Sequence, residues 1–119
     1  MVVKGSVVAL VASLLVTASA LGGTHATSAT TVQVSAGKPT EFKFTVSKKR
    51  VPKGVVVFRV TNRGSITHDF KLGKKRTKLL APGKSAVLRV TFTKAGKYRF
   101  SCTLPGHAAA GMKGVITVK

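Results

Sequence analysis

Gly96-Lys-Tyr-Arg-Phe-Ser-Cys-Thr-Leu-Pro-Gly-His-Ala-Ala-Ala-Gly-Met-Lys-Gly114 is the stretch from which the rest of the chain is read. Residues 96–102 alternate, with Tyr98, Phe100 and Cys102 on one face and Lys97, Arg99 and Ser101 on the other. That two-residue period is the mark of a half-buried β-strand. A run of Pro, Gly and small residues breaks it, and alternation resumes from Val115 to Val118. The chain's one cysteine therefore ends the inner row of a strand, at the point where the strand opens into a loop.

That loop also carries His107 and, at its exit, Met112. Each alone has a bland explanation: a cysteine or methionine is usually core filler, and a single histidine is more often a satisfied residue than a ligand. Together, a thiolate, an imidazole and a thioether within eleven residues suit copper better than other common metals. Zinc would accept the cysteine and histidine, but methionine is a poor zinc ligand. The fourth donor must come from elsewhere, and His68 is the candidate, beyond the apolar run that ends at Asn62. Two imidazoles, a thiolate and a weak axial thioether make the type 1, or blue, copper arrangement used in electron transfer.

Gly-Lys-Tyr-Arg-Phe-Ser-Cys102 followed by Pro-Gly-His107, Gly-Met112 and Gly-Val-Ile-Thr-Val118 resembles the C-terminal signature of plastocyanin-like cupredoxins. Upstream, Val-Val-Val-Phe-Arg-Val-Thr-Asn62 with His68 is similar to the segment that delivers their first histidine. The resemblance runs from about residue 31 to 119 and is dense only around 54–70 and 96–118. It implies one copper ion held by His68, Cys102, His107 and Met112, with His107 as the electron port. Asp69 departs from the pattern, since many relatives carry Asn there. Asp69 and Thr103 each follow a ligand, so a side-chain hydrogen bond between them would staple the two loops; alternatively Asp69 is solvated or paired with a lysine.

Outward from the site, short strands recur between turn signals. Thr31–Ala36 alternates; Phe42, Phe44 and Val46 share a face; Lys48 to Gly54 is a basic turn. Val55–Asn62 reads as a central strand, Phe70–Leu72 is short, Lys74 to Arg76 is a basic loop, and Ser85–Thr93 turns Ala86, Leu88, Val90 and Phe92 one way. This pattern predicts an all-β, cupredoxin-like Greek-key β-sandwich of seven or eight strands, in one domain over residues 30–119. Residues 1–29 read as a secretory signal peptide: Lys4, an apolar run from Val7 to Val16, and small-residue cleavage sites ending at Ala20 and Ala26. The run is short of the about 20 residues that span a bilayer. A secreted, periplasmic or other extracytoplasmic location follows.

Lys and Arg number 21 against two acids, Glu41 and Asp69, for a net charge of +19; removing the leader's Lys4 leaves +18. This balance predicts solubility and attraction to anionic partners, with possible contact to an anionic cell envelope. Nucleic acid is not expected, because the few aromatics lie on inward rows and offer no stacking platform. An enzyme is not expected either: two histidines outside the leader, one cysteine and two acids leave no second metal centre and no carboxylate acid–base pair. The expected function is one-electron transfer by a monomer to and from redox proteins, acidic ones, docking at a dry patch near His107 formed by Leu104, Pro105 and Ala108–Ala110. A copper carrier or store using the same ligands, and a basic β-sandwich that binds anionic polymers, are the alternatives.

Overall fold

The structure, a computed structural model, describes residues 28–119. The expected leader lies outside the described residues except for its last two positions. Among the described residues, nine strands form two sheets. They are β1 (Thr30–Ala36), β2 (Phe44–Val46), β3 (Arg50–Val51), β4 (Gly54–Asn62), β5 (Lys71–Leu72), β6 (Lys75–Arg76), β7 (Ser85–Phe92), β8 (Gly96–Ser101) and β9 (Lys113–Val118). One sheet runs β2-β1-β4-β7 and the other β3-β9-β8-β5-β6.

β4 is central, as its β-branched composition predicts. It pairs parallel with β1 and antiparallel with β7. The parallel register sets Val32 beside Phe58, Val34 beside Val60 and Ala36 beside Asn62, and all six are buried. In the facing sheet β8 lies between β5 and β9 and buries Phe100, while Ile116 and Val118 of β9 join the same core. Phe58 contacts Phe70 and Phe92 contacts Tyr98 across the sandwich, with ring centroids 5.6 and 4.7 Å apart. Burying each such ring contributes roughly 1.5–3 kcal/mol, so the aromatic layer holds the sheets in one relative position.

Two expectations change in detail. Among the described residues the strand count is nine because two two-residue strands, β3 and β6, hydrogen-bond within the basic turn and basic loop, while the short β5 falls in the expected Phe70–Leu72 run. Backbone pairing leaves no side-chain alternation in so short a piece. Phe42 is not on the face of β2; it lies in the turn before it. This turn, residues 37–43, closes with a bond from the Gly37 N–H to the Lys43 carbonyl at 2.9 Å.

Candidate metal centre

Past its last strand residue, the inner row of β8 continues to Cys102, which is buried. Residues 104–111 then coil into a tight turn. The His107 N–H donates to the Leu104 carbonyl at 3.1 Å and the Ala110 N–H to the Gly106 carbonyl at 3.0 Å. Met112 closes the loop at both ends: its N–H donates to the His107 carbonyl at 3.0 Å, and its carbonyl accepts from the Cys102 N–H at 3.1 Å. Its side chain is fully buried and packs with Cys102 and Ala36 in a small cluster separate from the main core. The loop thus fixes its three expected donors by its own backbone bonds.

His68 arrives from the other direction. After β4 ends, Asn62 organises residues 63–68. Its buried amide donates to the carbonyls of Ile66 at 2.8 Å and Leu80 at 2.7 Å, and its oxygen accepts from the Gly64 N–H at 2.9 Å. His68 is then held by two backbone bonds to Leu80, at 3.1 and 2.8 Å. The result brings His68 Nδ1 to 3.2 Å from His107 Nδ1 and 3.9 Å from Cys102 Sγ, with His107 Nδ1 3.4 Å from the same sulfur. The donor atoms of His68, Cys102 and His107 all lie within 4.8 Å of one another, and all three residues are buried.

Asp69 and Thr103 clasp the two loops together. One Asp69 carboxylate oxygen accepts from the Thr103 N–H at 2.6 Å, and the other accepts from the Thr103 hydroxyl. Asp69 is fully buried, so of the two readings open in the sequence the staple is the one the fold adopts.

Without a cation, burial favours the neutral forms of the donors. Burial pushes the Cys102 thiol up, while the backbone N–H groups of Asp69 and Leu104 act in the opposite sense by stabilising the thiolate. Burial, and then the nearby His68, push the His107 imidazole down from its usual value. A bound cation would convert the thiol to thiolate. Two imidazole nitrogens and one cysteine sulfur converging in a dry pocket, with a methionine in the same cluster, fit copper by the chemistry of the donors.

Three further residues escaped the sequence reading. Glu41 reaches across from the 37–43 turn, and its Oε1 accepts from His68 Nε2 at 2.9 Å. Phe42, beside it, sets its ring edge-on to His107, with centroids 5.0 Å apart and planes at 71°. Asn62 builds the loop under His68. The one available signal was compositional: Glu41 is one of only two acids among 21 cationic residues.

A β-sandwich whose loops gather two imidazoles and a thiolate at one point is a copper protein of the cupredoxin class. A profile of copper binding proteins of the plastocyanin/azurin family matches residues 26–119, and the chain belongs to that family. Its fold is similar to reduced auracyanin from Roseiflexus castenholzii (TM-score 0.63, 24% identity, 76% of this chain and 98% of that one). It is also similar to rusticyanin from Thiobacillus ferrooxidans (TM-score 0.64, 25% identity, 75% of this chain and 76% of that one). Curated relatives include the copper-resistant cuproprotein CopI of Pseudomonas aeruginosa, 56% identical over 41 residues, covering 34% of this chain and 23% of the relative. The proteins of that name from Vibrio cholerae and Rubrivivax gelatinosus are 33% and 32% identical over 82 and 85 residues, covering 51% and 54% of this chain and 48% and 52% of theirs. The chain matches about half or less of the length of these relatives.

Proposed function

We propose that the protein is an extracytoplasmic type 1 copper protein that carries single electrons, with His68, Cys102, His107 and Met112 as its ligands. The observation that supports this most is the convergence of the donors: loops held by the chain's own hydrogen bonds bring the donor atoms of His68, Cys102 and His107 within 4.8 Å of one another. Bound copper supplies a one-electron Cu(II)/Cu(I) couple. The residues supply a fixed frame. Asn62, the Asp69–Thr103 clasp and the backbone bonds of Met112 hold the donors from both sides, and a site that rearranges little on gain or loss of an electron exchanges electrons quickly.

His107 is the proposed exit. It is 9% exposed, and Ala109 and Ala110 next to it are open to solvent. Short side chains there let a redox partner approach the imidazole edge. The surrounding lysines favour an acidic partner, drawn in from a distance that salt would shorten. The leader reading supports the compartment.

The curated relatives favour a second reading. Their printed name ties them to copper resistance, and on this reading the same ligands serve copper handling. The two readings part in one experiment on copper-loaded protein. Electron transfer predicts an intense thiolate-to-copper visible band that Cys102→Ser abolishes, a reversible one-electron wave, and slow loss of copper to a chelator. A retained band in Cys102→Ser would remove the thiolate from the site. A sluggish wave with rapid copper loss would favour handling.

A further inference from the structure

We propose that Glu41 is a positioning residue of the copper centre, which sets the tautomer of His68 and lowers the reduction potential from behind the ring; this rests on His68 being a ligand. Both carboxylate oxygens are engaged. Oε1 accepts from the N–H groups of Ser65 and Ile66, both at 3.0 Å, and from His68 Nε2 at 2.9 Å; Oε2 accepts from the Ser65 N–H at 2.9 Å. A carboxylate can only accept, so His68 carries its proton on Nε2. The Nδ1 lone pair is thereby left facing Cys102 and His107.

The surroundings are shaped for this contact. A Cβ on Gly64 would lie 2.6 and 2.9 Å from the two Glu41 oxygens and 2.9 Å from His68 Nε2. One on Gly37 would lie 2.5 Å from the Gly64 Cα. Two glycines therefore allow the 37–43 turn to press against the His68 loop, and the Arg63 N–H joins the Ala36 carbonyl there at 2.8 Å. The choice of partner is also informative. Among the described residues Glu41 makes its ion-pair-range contact with a histidine, and with none of the many lysines and arginines.

Two consequences separate this role from that of a loop staple. A carboxylate on the far nitrogen raises the basicity of the ligating one. Its negative charge also favours Cu(II) over Cu(I), which lowers the potential. Glu41→Gln keeps the shape and an acceptor but removes the charge. Loss of such a supporting partner costs a site about 10–100-fold in metal affinity. Where that loss falls tenfold harder on Cu(II), the potential rises by about 59 mV.

The test is the potential and visible spectrum of copper-loaded Glu41→Gln and Gly64→Ala. The second keeps both acids and breaks the contact by crowding. Both should retain the thiolate band and show a raised potential. Unchanged potentials with the band intact overturn the role of Glu41 and leave the copper reading standing. Absence of the band in the unaltered protein defeats the copper reading, and the proposal with it. A second measurement needs no variant: nitrogen-15 NMR of the unaltered Cu(I)-loaded protein should show His68 protonated at Nε2 with a slowly exchanging proton. A His68 bound through Nε2, or free of a proton there, overturns the proposal.

Discussion

The two loops that supply the site are built in opposite ways. The Cys102–Met112 loop is local: its donors lie within eleven residues, and its closing bonds, Cys102 to Met112 and Met112 to His107, stay within that span. The His68 loop is assembled from afar. Asn62 ties it to Leu80, 18 positions on, and Glu41 reaches it from 24 to 27 positions back. The first can be positioned by its own turn geometry. The second depends on β1, β4 and the 37–43 turn already being in place. Chain-closure entropy makes such remote contacts costly to form, so they need several bonds at once to hold.

Asn62→Ala should make that contrast largest. The change removes the side-chain partner of the buried Leu80 carbonyl, which keeps its bond from the His68 N–H, and of the part-buried Gly64 N–H and Ile66 carbonyl. Stranding a buried polar group costs about 1–3 kcal/mol, and since the remaining bond to Leu80 and access of water to the other two groups offset part of this, the loss should be on the order of 2 kcal/mol. The urea midpoint of the metal-free protein should fall, with the slope unchanged. A loss below about 1 kcal/mol would mean that the loop holds without its central amide, and the contrast between the loops would weaken.

Met112→Leu tests the local loop with a smaller effect. The exchange roughly conserves volume, so stability should change by less than about 1.5 kcal/mol. Copper should still bind, because the backbone bonds of residue 112 remain. The potential should rise, since a weak donor to Cu(II) has gone. An unchanged potential would take the Met112 sulfur out of the ligand set and reduce that loop's contribution to Cys102 and His107.

What could be read in the sequence follows the same division. Alternation in 96–102 placed Cys102 at a strand end, and close spacing made the three donors recognisable as a group. His68 needed the resemblance as well, because no period links it to Cys102. The Asp69–Thr103 clasp was legible as a possibility, since both residues follow candidate ligands. Glu41 was not: nothing in strand periodicity says that a turn residue will fold back 27 positions onto an imidazole. Phe42 was misplaced for a related reason. Its spacing to Phe44 and Val46 mimics a strand face, but the turn ends only at Lys43, and the ring packs on His107 instead. Strands β3 and β6 are only two residues long, so side-chain alternation cannot record them, although Val51 of β3 is buried in the core.

Acid and base should divide the site's contributions most finely. Burial lowers His107 from its ordinary 6.5, so the folded, metal-free protein takes up that proton less readily than the unfolded chain. Its contribution to stability is complete above 6.5 and is lost as pH falls through the lower folded value. Glu41 is lowered from 4.5, first by the Ser65 N–H, and its contribution is lost in the same direction but only below 4.5. Cys102 is raised from 9.0 by burial, so its contribution is present below 9.0 and fades as pH climbs above it. Unfolding of the metal-free protein as a function of pH should therefore show an acid loss in two stages and an alkaline loss in one. Glu41→Gln should remove the stage below 4.5, leave the alkaline loss, and keep the upper acid stage with His107 pushed further down, because the Glu41 charge opposes that shift. If the upper acid stage disappeared as well, the loops would be one electrostatic unit, and the division between local and long-range construction would not extend to their protons.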